Sequence, residues 1–283
     1  MLKKMMKKIT CGILALSACF ACATFSACET SKPKVEMEIE FNGETYTLEY
    51  ILYRKVAPAT VNHFLALVEN GYYDGLCAHD YSDDKMYIGS YSYAEDNLVY
   101  KKYYDVVKGY ENFPVSVWTD KSKSEATYTL YGEFFDNADF TVENGALSQT
   151  FGSLTMYYSD KVSDDTVAIE RHNGEGMALR QYKYNSATSQ FFISVDTETN
   201  SDSSYCTFAT LDEDSGSVLA ELQVDILSYV SGVYGDDGMD DFAPEKEMTI
   251  DEDDKFIGER DNVATYHVPV KPIVIKKMKV NKY

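Results

Sequence analysis

From Val35 to Leu52 the chain alternates apolar and polar residues. Val35, Met37, Ile39 and Phe41 are interleaved with Glu36, Glu38 and Glu40, the period-two pattern of a strand with one buried face. Asn42-Gly43 is a strong signal for a two-residue hairpin turn, and Tyr46, Leu48, Tyr50 and Leu52 resume the alternation. At Pro58 the spacing changes. Val61, Phe64, Leu65 and Val68 follow a helical period, with Pro58 suited to the first turn and Gly71 to the stop. His63 falls off this stripe and is expected in solvent. Strands and long polar loops follow to Phe135, and the Tyr- and Lys-rich stretch 91–128 has no clean period. Phe151–Tyr158 and Gln190–Val195 read as strands separated by a long polar stretch. Leu219, Leu222, Ile226 and Val230 share one face of a second helix, residues 236–254 read as a solvated acidic loop, and 272–280 closes with a strand. Many short strands with two helices and no repeat predict a mainly β domain, a closed or nearly closed antiparallel barrel. Insertions are expected at about 91–128, 159–186 and 233–262.

The N-terminus follows a different rule. Lys3, Lys4, Lys7 and Lys8 precede an apolar run that lasts to Ala27, the charged start and apolar centre of a secretory signal. Leu16-Ser17-Ala18-Cys19 and Phe25-Ser26-Ala27-Cys28 both resemble the lipobox of bacterial lipoproteins. Cys19 follows the better leading Leu. Cys28 is favoured, because the apolar run stops there and the polar tether 29–34 begins. A cleaved secretory signal and an uncleaved anchor are the simpler alternatives. Each version places the body, residues 35–282, outside the cytoplasm, since no second apolar run of about 20 residues follows. A lipidated Cys holds such a body at the membrane surface.

The net charge is −20, and loss of residues 1–27 removes four Lys and no acid, leaving −24. Nucleic acid is therefore excluded as a partner class, since it requires a basic surface. Only Cys77 and Cys206 remain in the body, and either a disulfide or two buried thiols fits an extracytoplasmic setting. His63, His79, His172 and His267 show no zinc-like spacing. No metal or cofactor is expected.

Six segments, in order, carry a resemblance. Ala57-Pro58-Ala59-Thr60-Val61-Asn62-His63-Phe64 is similar to an A-P-x-T-V-x-N-F helix signature, with His63 in place of Asn. Gly71-Tyr72-Tyr73-Asp74-Gly75 resembles a G-x-Y-D-G turn, Gly132-Glu133-Phe134 a G-E-F segment, and Ser153-Leu154-Thr155-Met156 a G-x-L-S-M strand. Ser189-Gln190-Phe191-Phe192-Ile193 matches S-Q-F-F-I completely, and Pro272-Ile273-Val274-Ile275 resembles a last strand. Together these resemble the cyclophilin-type prolyl isomerases. The resemblance implies an eight-stranded antiparallel barrel capped by two helices, with a peptide groove on its outer face. It also implies proline-containing polypeptides as partners and a role in folding extracytoplasmic proteins.

The chemistry implied is rotation about the X-Pro amide, against a barrier of about 20 kcal/mol. In the family an Arg of an F-H-R motif eases that rotation by hydrogen bonding near the prolyl nitrogen, an apolar pocket holds the ring, and a Gln positions the backbone. Here the motif reads Ala78-His79-Asp80, and F-M-x-Q-G-G reads Lys85-Met86-Tyr87-Ile88-Gly89-Ser90. The small pair after the L-S-M strand becomes Tyr157-Tyr158, the W-L pair becomes Asn200-Ser201, and the groove His becomes Tyr205. The peptide-binding residues implied are His79, Met86, Gln190, Phe192 and Tyr205, with no intact catalytic residue because Asp80 stands at the Arg position. Losing a transition-state donor costs about 10²–10³ in rate, so weak or lost isomerase activity is expected unless Arg171 or Arg180 reaches back into the groove. The alternative is a non-catalytic binding lipoprotein that keeps the barrel to hold extended peptide or a protein partner. Phe192 and Met86 also fit simple packing, and the Tyr-rich stretch fits either a binding surface or packing of the insertion onto the barrel.

Overall fold

The computed structural model describes residues 30–134, 147–158, 166–171, 176–181, 186–199, 205–249 and 263–283. The signal and lipobox reading, with Cys28 or Cys19, lies outside these residues, as do His172 and the Asn200-Ser201 pair. In chain order the strands begin with β1 (Lys34–Phe41), β2 (Glu44–Leu52), β3 (Asp80–Tyr81), β4 (Lys85–Ile88), β5 (Tyr91–Ala94) and β6 (Asn97–Tyr100). Next come β7 (Val117–Trp118), β8 (Leu130–Tyr131), β9 (Leu154–Met156), β10 (Thr166–Glu170), β11 (Met177–Gln181) and β12 (Ser186–Ala187). The last are β13 (Phe191–Ser194), β14 (Cys206–Leu211), β15 (Glu245–Thr249), β16 (Val263–His267) and β17 (Val274–Lys282). The helices are α1 (Pro58–Glu69), α2 (Tyr103–Val107), α3 (Ser215–Tyr234) and α4 (Met239–Phe242).

The alternation read in the sequence becomes the β1–β2 hairpin. Val35, Met37, Ile39 and Phe41 face the core with Tyr46, Leu48, Tyr50 and Leu52, while the interleaved Glu side chains face outward. Asn42 and Gly43 both take positive φ, 51° and 91°, the backbone of a turn whose twist matches the strands. Eight strands form one antiparallel sheet in the order β17-β1-β2-β14-β9-β13-β4-β3. Its two ends meet. Gly75 N–H donates to Ile275 O (2.8 Å), Ile275 N–H to Leu76 O (2.8 Å) and Ala78 N–H to Ile273 O (2.9 Å), joining the run into β3 to the start of β17.

The two long helices cover this curled sheet, and α3 runs further than the stripe Leu219–Val230 alone indicated. The N-terminus of α1 has no side-chain cap of its own. Glu133 supplies one from a distant segment, its two carboxylate oxygens accepting Ala59 N–H (3.0 Å) and Thr60 N–H (2.8 Å). An anion at a helix N-terminus satisfies orphan donors and complements the dipole. A Cβ on the neighbouring Gly132 would fall 2.1 Å from the Phe134 ring, so that position has no room for a side chain.

Two expectations change. His63 is buried rather than solvated, because residues of the 91–128 segment cover its face of α1. Tyr103 stacks on its ring, Phe113 meets it edge-on at 4.9 Å, and Nε2–H donates to Thr188 O at 2.8 Å. Within the 91–128 and 159–186 segments, β5 and β6 form a hairpin, and β10 and β11 join β7 in a separate three-stranded sheet. The stretch 236–249, within the expected acidic loop, holds α4 and β15, and β15 pairs with β16 along Glu245–Thr249; residues 250–254 lie outside the described residues. Cys77 and Cys206 are both buried free thiols, and burial pushes each up to about 12, which leaves them unreactive at neutral pH.

Burial holds the His63 imidazole down to about 4. An unfolded chain protonates it near 6.5. Its contribution to stability is therefore complete above pH 6.5 and declines as pH falls toward 4, by about 3 kcal/mol in all. Replacing His63→Asn, the residue of the helix signature, should flatten the acid side of the stability curve relative to wild type. Denaturant melts between pH 7 and 4 check this, and parallel curves would show that His63 is not held neutral.

Candidate functional site on the outer face of the sheet

Strand register places five residues in one row across the sheet. Asp80 pairs with Tyr87, Tyr87 with Phe192, Phe192 with Thr155, and Thr155 with Thr207. Their chain neighbours Met86, Ile88, Phe191, Ile193, Leu154, Met156 and Cys206 belong to the main core, so the row lies on the outer face. Thr155 and Thr207 share a hydroxyl hydrogen bond of 2.9 Å at one end. Phe192 is the centre. Tyr87 tilts against it at 5.2 Å, Tyr205 meets it edge-on at 5.7 Å, and Lys85 Nζ lies 5.4 Å from its ring centre. Tyr157 adds an edge-on contact to Tyr87 at 6.0 Å. Phe192 is left with 0% of its surface exposed. Burial, then the neighbouring Tyr205 and Asp80, push the Tyr87 hydroxyl upward, so it remains a neutral donor.

Backbone contacts fix this row. A Cβ on Gly89 would lie 2.3 Å from Ser189 O, so β4 and β13 approach this closely only with glycine at φ +118°. The Ser189 hydroxyl donates to Gly89 O at 2.6 Å, and Tyr73 OH donates to Ser189 O at 3.1 Å. Gln190 is buried, and its carbonyl accepts Tyr157 N–H at 3.0 Å, which sets Tyr157 beside the row.

At the other end Asp80 is engaged by its own chain. Its Oδ1 accepts the backbone N–H of His267 at 2.8 Å, and the His267 ring lies 3.5 Å from Asp80 and 3.6 Å from Glu245. Burial raises the Asp80 carboxyl above the usual range, while the His267 N–H pulls the other way. The β15–β16 hairpin thus sits over the row's acidic end. Beneath it, Tyr266 meets His79 edge-on at 5.1 Å, and Tyr91 packs on the same imidazole at 4.9 Å. Cys77, Tyr91, Leu98 and Val268 form a small core of their own there, joined by Met248, Tyr266 and Val274.

The expected residues therefore separate. Asp80, Phe192 and Tyr205 come together on the outer face. His79 does not line it, because the hairpin and Tyr91 bury it. Met86 is also corrected: it lies fully buried in the main core, and the outer position in β4 belongs to Tyr87. The alternation of Lys85 and Tyr87 with Met86 and Ile88 carried that signal. Of the Tyr157-Tyr158 pair only Tyr157 reaches the row, since Tyr158 packs inward against Phe134 at 4.9 Å. Arg180 lies in β11 and Arg171 directly after β10, on the separate sheet, where the Arg180 guanidinium donates to Leu179 O at 3.0 Å. His267 and Tyr266 were not anticipated, and no local pattern reveals a contact across 187 residues of sequence.

Comparison with known proteins identifies a family through one family model. The family model described as cyclophilin type peptidyl-prolyl cis-trans isomerase/CLD matches residues 35–227. No curated protein matches the chain. Among solved structures the chain is similar to a Cryptosporidium parvum cyclophilin type peptidyl-prolyl cis-trans isomerase, at 16% identity and a TM-score of 0.43, over 89% of this chain and 99% of that one.

The anchoring of the hairpin by Asp80 is testable by Asp80→Ala. Loss of a charge-assisted acceptor for a backbone donor should cost about 1–3 kcal/mol. Hydrogen exchange at the His267 amide should accelerate while the β1–β2 amides keep their protection. Unchanged exchange at His267 would show that the carboxylate does not hold the hairpin.

Proposed function

Starting from a chain that belongs to the cyclophilin-type peptidyl-prolyl cis-trans isomerase family, we propose that it is an extracytoplasmic, lipid-anchored protein that holds polypeptide with little or no prolyl turnover. One observation carries this reading. Where the family places a cation beside the prolyl amide, this chain has a carboxylate that accepts the N–H of His267. Rotation about the amide needs a donor near the prolyl nitrogen, aimed at charge that develops in the twisted state. A carboxylate offers no hydrogen there and repels the substrate carbonyl.

The pocket floor supports the same conclusion. A proline ring needs an open apolar surface, and Phe192 is covered by Tyr87, Tyr205 and its neighbours. Rings of this kind suit the side chains of an extended peptide or a protein partner, because they give contact area at low entropic cost. The lipid anchor rests on the Cys28 and Cys19 motifs and would keep the body at the membrane surface.

The mature protein should not accelerate isomerisation of a short X-Pro peptide above the uncatalysed rate. Asp80→Arg should also remain inactive, because it removes the hairpin's acceptor and leaves the Tyr rings over Phe192. Clear wild-type turnover in a protease-coupled assay would overturn the binding reading and restore the enzyme. The anchor has a separate test: Cys28→Ser should move the protein from the membrane to the soluble fraction of a bacterial host. Retention in the membrane fraction would assign lipidation to Cys19 or leave an uncleaved anchor.

A further inference from the structure

Helix α3 buries Leu219, Leu222, Ile226 and Val230, yet its far side carries two apolar residues in water. Val224 is 59% exposed and Leu227 54%. With 3.6 residues per turn, Leu227, Val224, Ser228, Glu221, Asp225 and Tyr229 follow one another around the helix in steps of about 60° or less. The apolar pair is therefore continuous with an acidic strip, and that strip ends in a pocket.

Asp225, Ser228 and Tyr229 form one wall of this pocket, and Phe41, Asn42, Glu44 and Tyr46 of the β1–β2 turn form the other, around a space of about 330 Å³. Phe41 is buried at its base, with the Tyr229 ring edge-on at 5.6 Å. The Tyr46 hydroxyl donates to Asp225 Oδ2, which fixes that carboxylate against the rings. Glu44 and Glu221 add negative charge around Tyr46, and no basic residue lines the space. The turn that carries Asn42 is held in its positive-φ form, so the wall is built before any ligand arrives.

We propose that this pocket binds a Lys or Arg side chain of a polypeptide partner, with an adjacent apolar residue of the partner packing on Val224 and Leu227. Aromatic faces and carboxylates together favour a cation that carries an apolar stem, and a free inorganic cation would have no use for the neighbouring apolar pair. The net charge of −20 draws basic segments to the body. This surface is distinct from the row around Phe192 and does not depend on how that row functions.

The full-length chain is titrated with the tripeptide amide Leu-Arg-Leu and, separately, with Leu-Glu-Leu, and amide chemical shifts are followed. Leu-Arg-Leu should shift Asn42, Asp225 and Tyr229, and Leu-Glu-Leu should not. Asp225→Asn with Glu44→Gln should weaken binding about tenfold, and Val224→Ser with Leu227→Ser about threefold. Glu44 is exposed, so Glu44→Gln alone decides the charge contribution if the Asp225 variant fails to fold. Asp80→Ala should bind as wild type. The proposal is overturned by absence of these shifts, by an equal response to Leu-Glu-Leu, by unchanged affinity in the folded charge variants, or by loss of binding in Asp80→Ala.

Discussion

The seam between residues 75–78 and 273–275 is the constraint on which the outer face depends. Its three backbone hydrogen bonds bring the last strand against the run into β3. They fix where Ala78 ends and therefore where His79 and Asp80 begin. On one side of the seam the main core fills the interior. On the other, Cys77 and Val274 offer an apolar surface that the β5–β6 and β15–β16 hairpins cover. Buried backbone groups must find partners, and Leu76, Cys77 and Ala78 are buried between the two cores. Once it forms, Asp80 sits at the edge of the row with the hairpin directly above it.

The surviving motifs become intelligible in these terms, because each one builds the scaffold. In Gly71-Tyr72-Tyr73-Asp74-Gly75, both glycines take positive φ, Tyr73 OH bonds Ser189 O, and Asp74 Oδ1 accepts Met278 N–H at 3.0 Å. In Gly132-Glu133-Phe134, the glycine clears space, the acid caps α1, and the ring packs on Tyr158. In Ser189-Gln190-Phe191-Phe192-Ile193, Ser189 locks against Gly89, and Phe191 and Ile193 fill the core. Some positions that depart from the motifs also serve packing, as His63 does in α1 and Tyr158 against Phe134. What the matching motifs share is packing and backbone geometry.

What the sequence disclosed divides along the same line. Period-two alternation gave β1, β2 and their turn, and helical spacing gave α1 and α3, because one buried face dictates each pattern. Local pattern says nothing about what an insertion covers. His63 looked solvated because its neighbours on α1 define only the face toward the sheet, while Tyr103 and Phe113 arrive from another segment. Met86 was placed by motif alignment rather than by its own strand, where Lys85 and Tyr87 alternate against it. The stretch 245–249 read as loop because its acids mask a strand whose partner, β16, lies beyond the acidic connection. Long-range pairing overrides weak local propensity in such cases.

These observations give the Asp80 carboxylate a structural role of its own. An Arg at this position would face the His267 N–H with another donor, leaving the backbone group unsatisfied. The carboxylate instead completes the hairpin's docking and joins Glu245 around the same ring. The hairpin in turn keeps His79 and Tyr91 from solvent, and Tyr91 also packs against Tyr100 of β6. Asp80 therefore contacts the β15–β16 hairpin directly through His267, and the hairpin reaches Tyr91 through Tyr266. An Arg in place of Asp80 would break the His267 contact and leave Tyr87 and Tyr205 over Phe192. The Asp80 carboxylate and the β15–β16 hairpin are thus one structural unit, in which this end of the row holds the chain to itself.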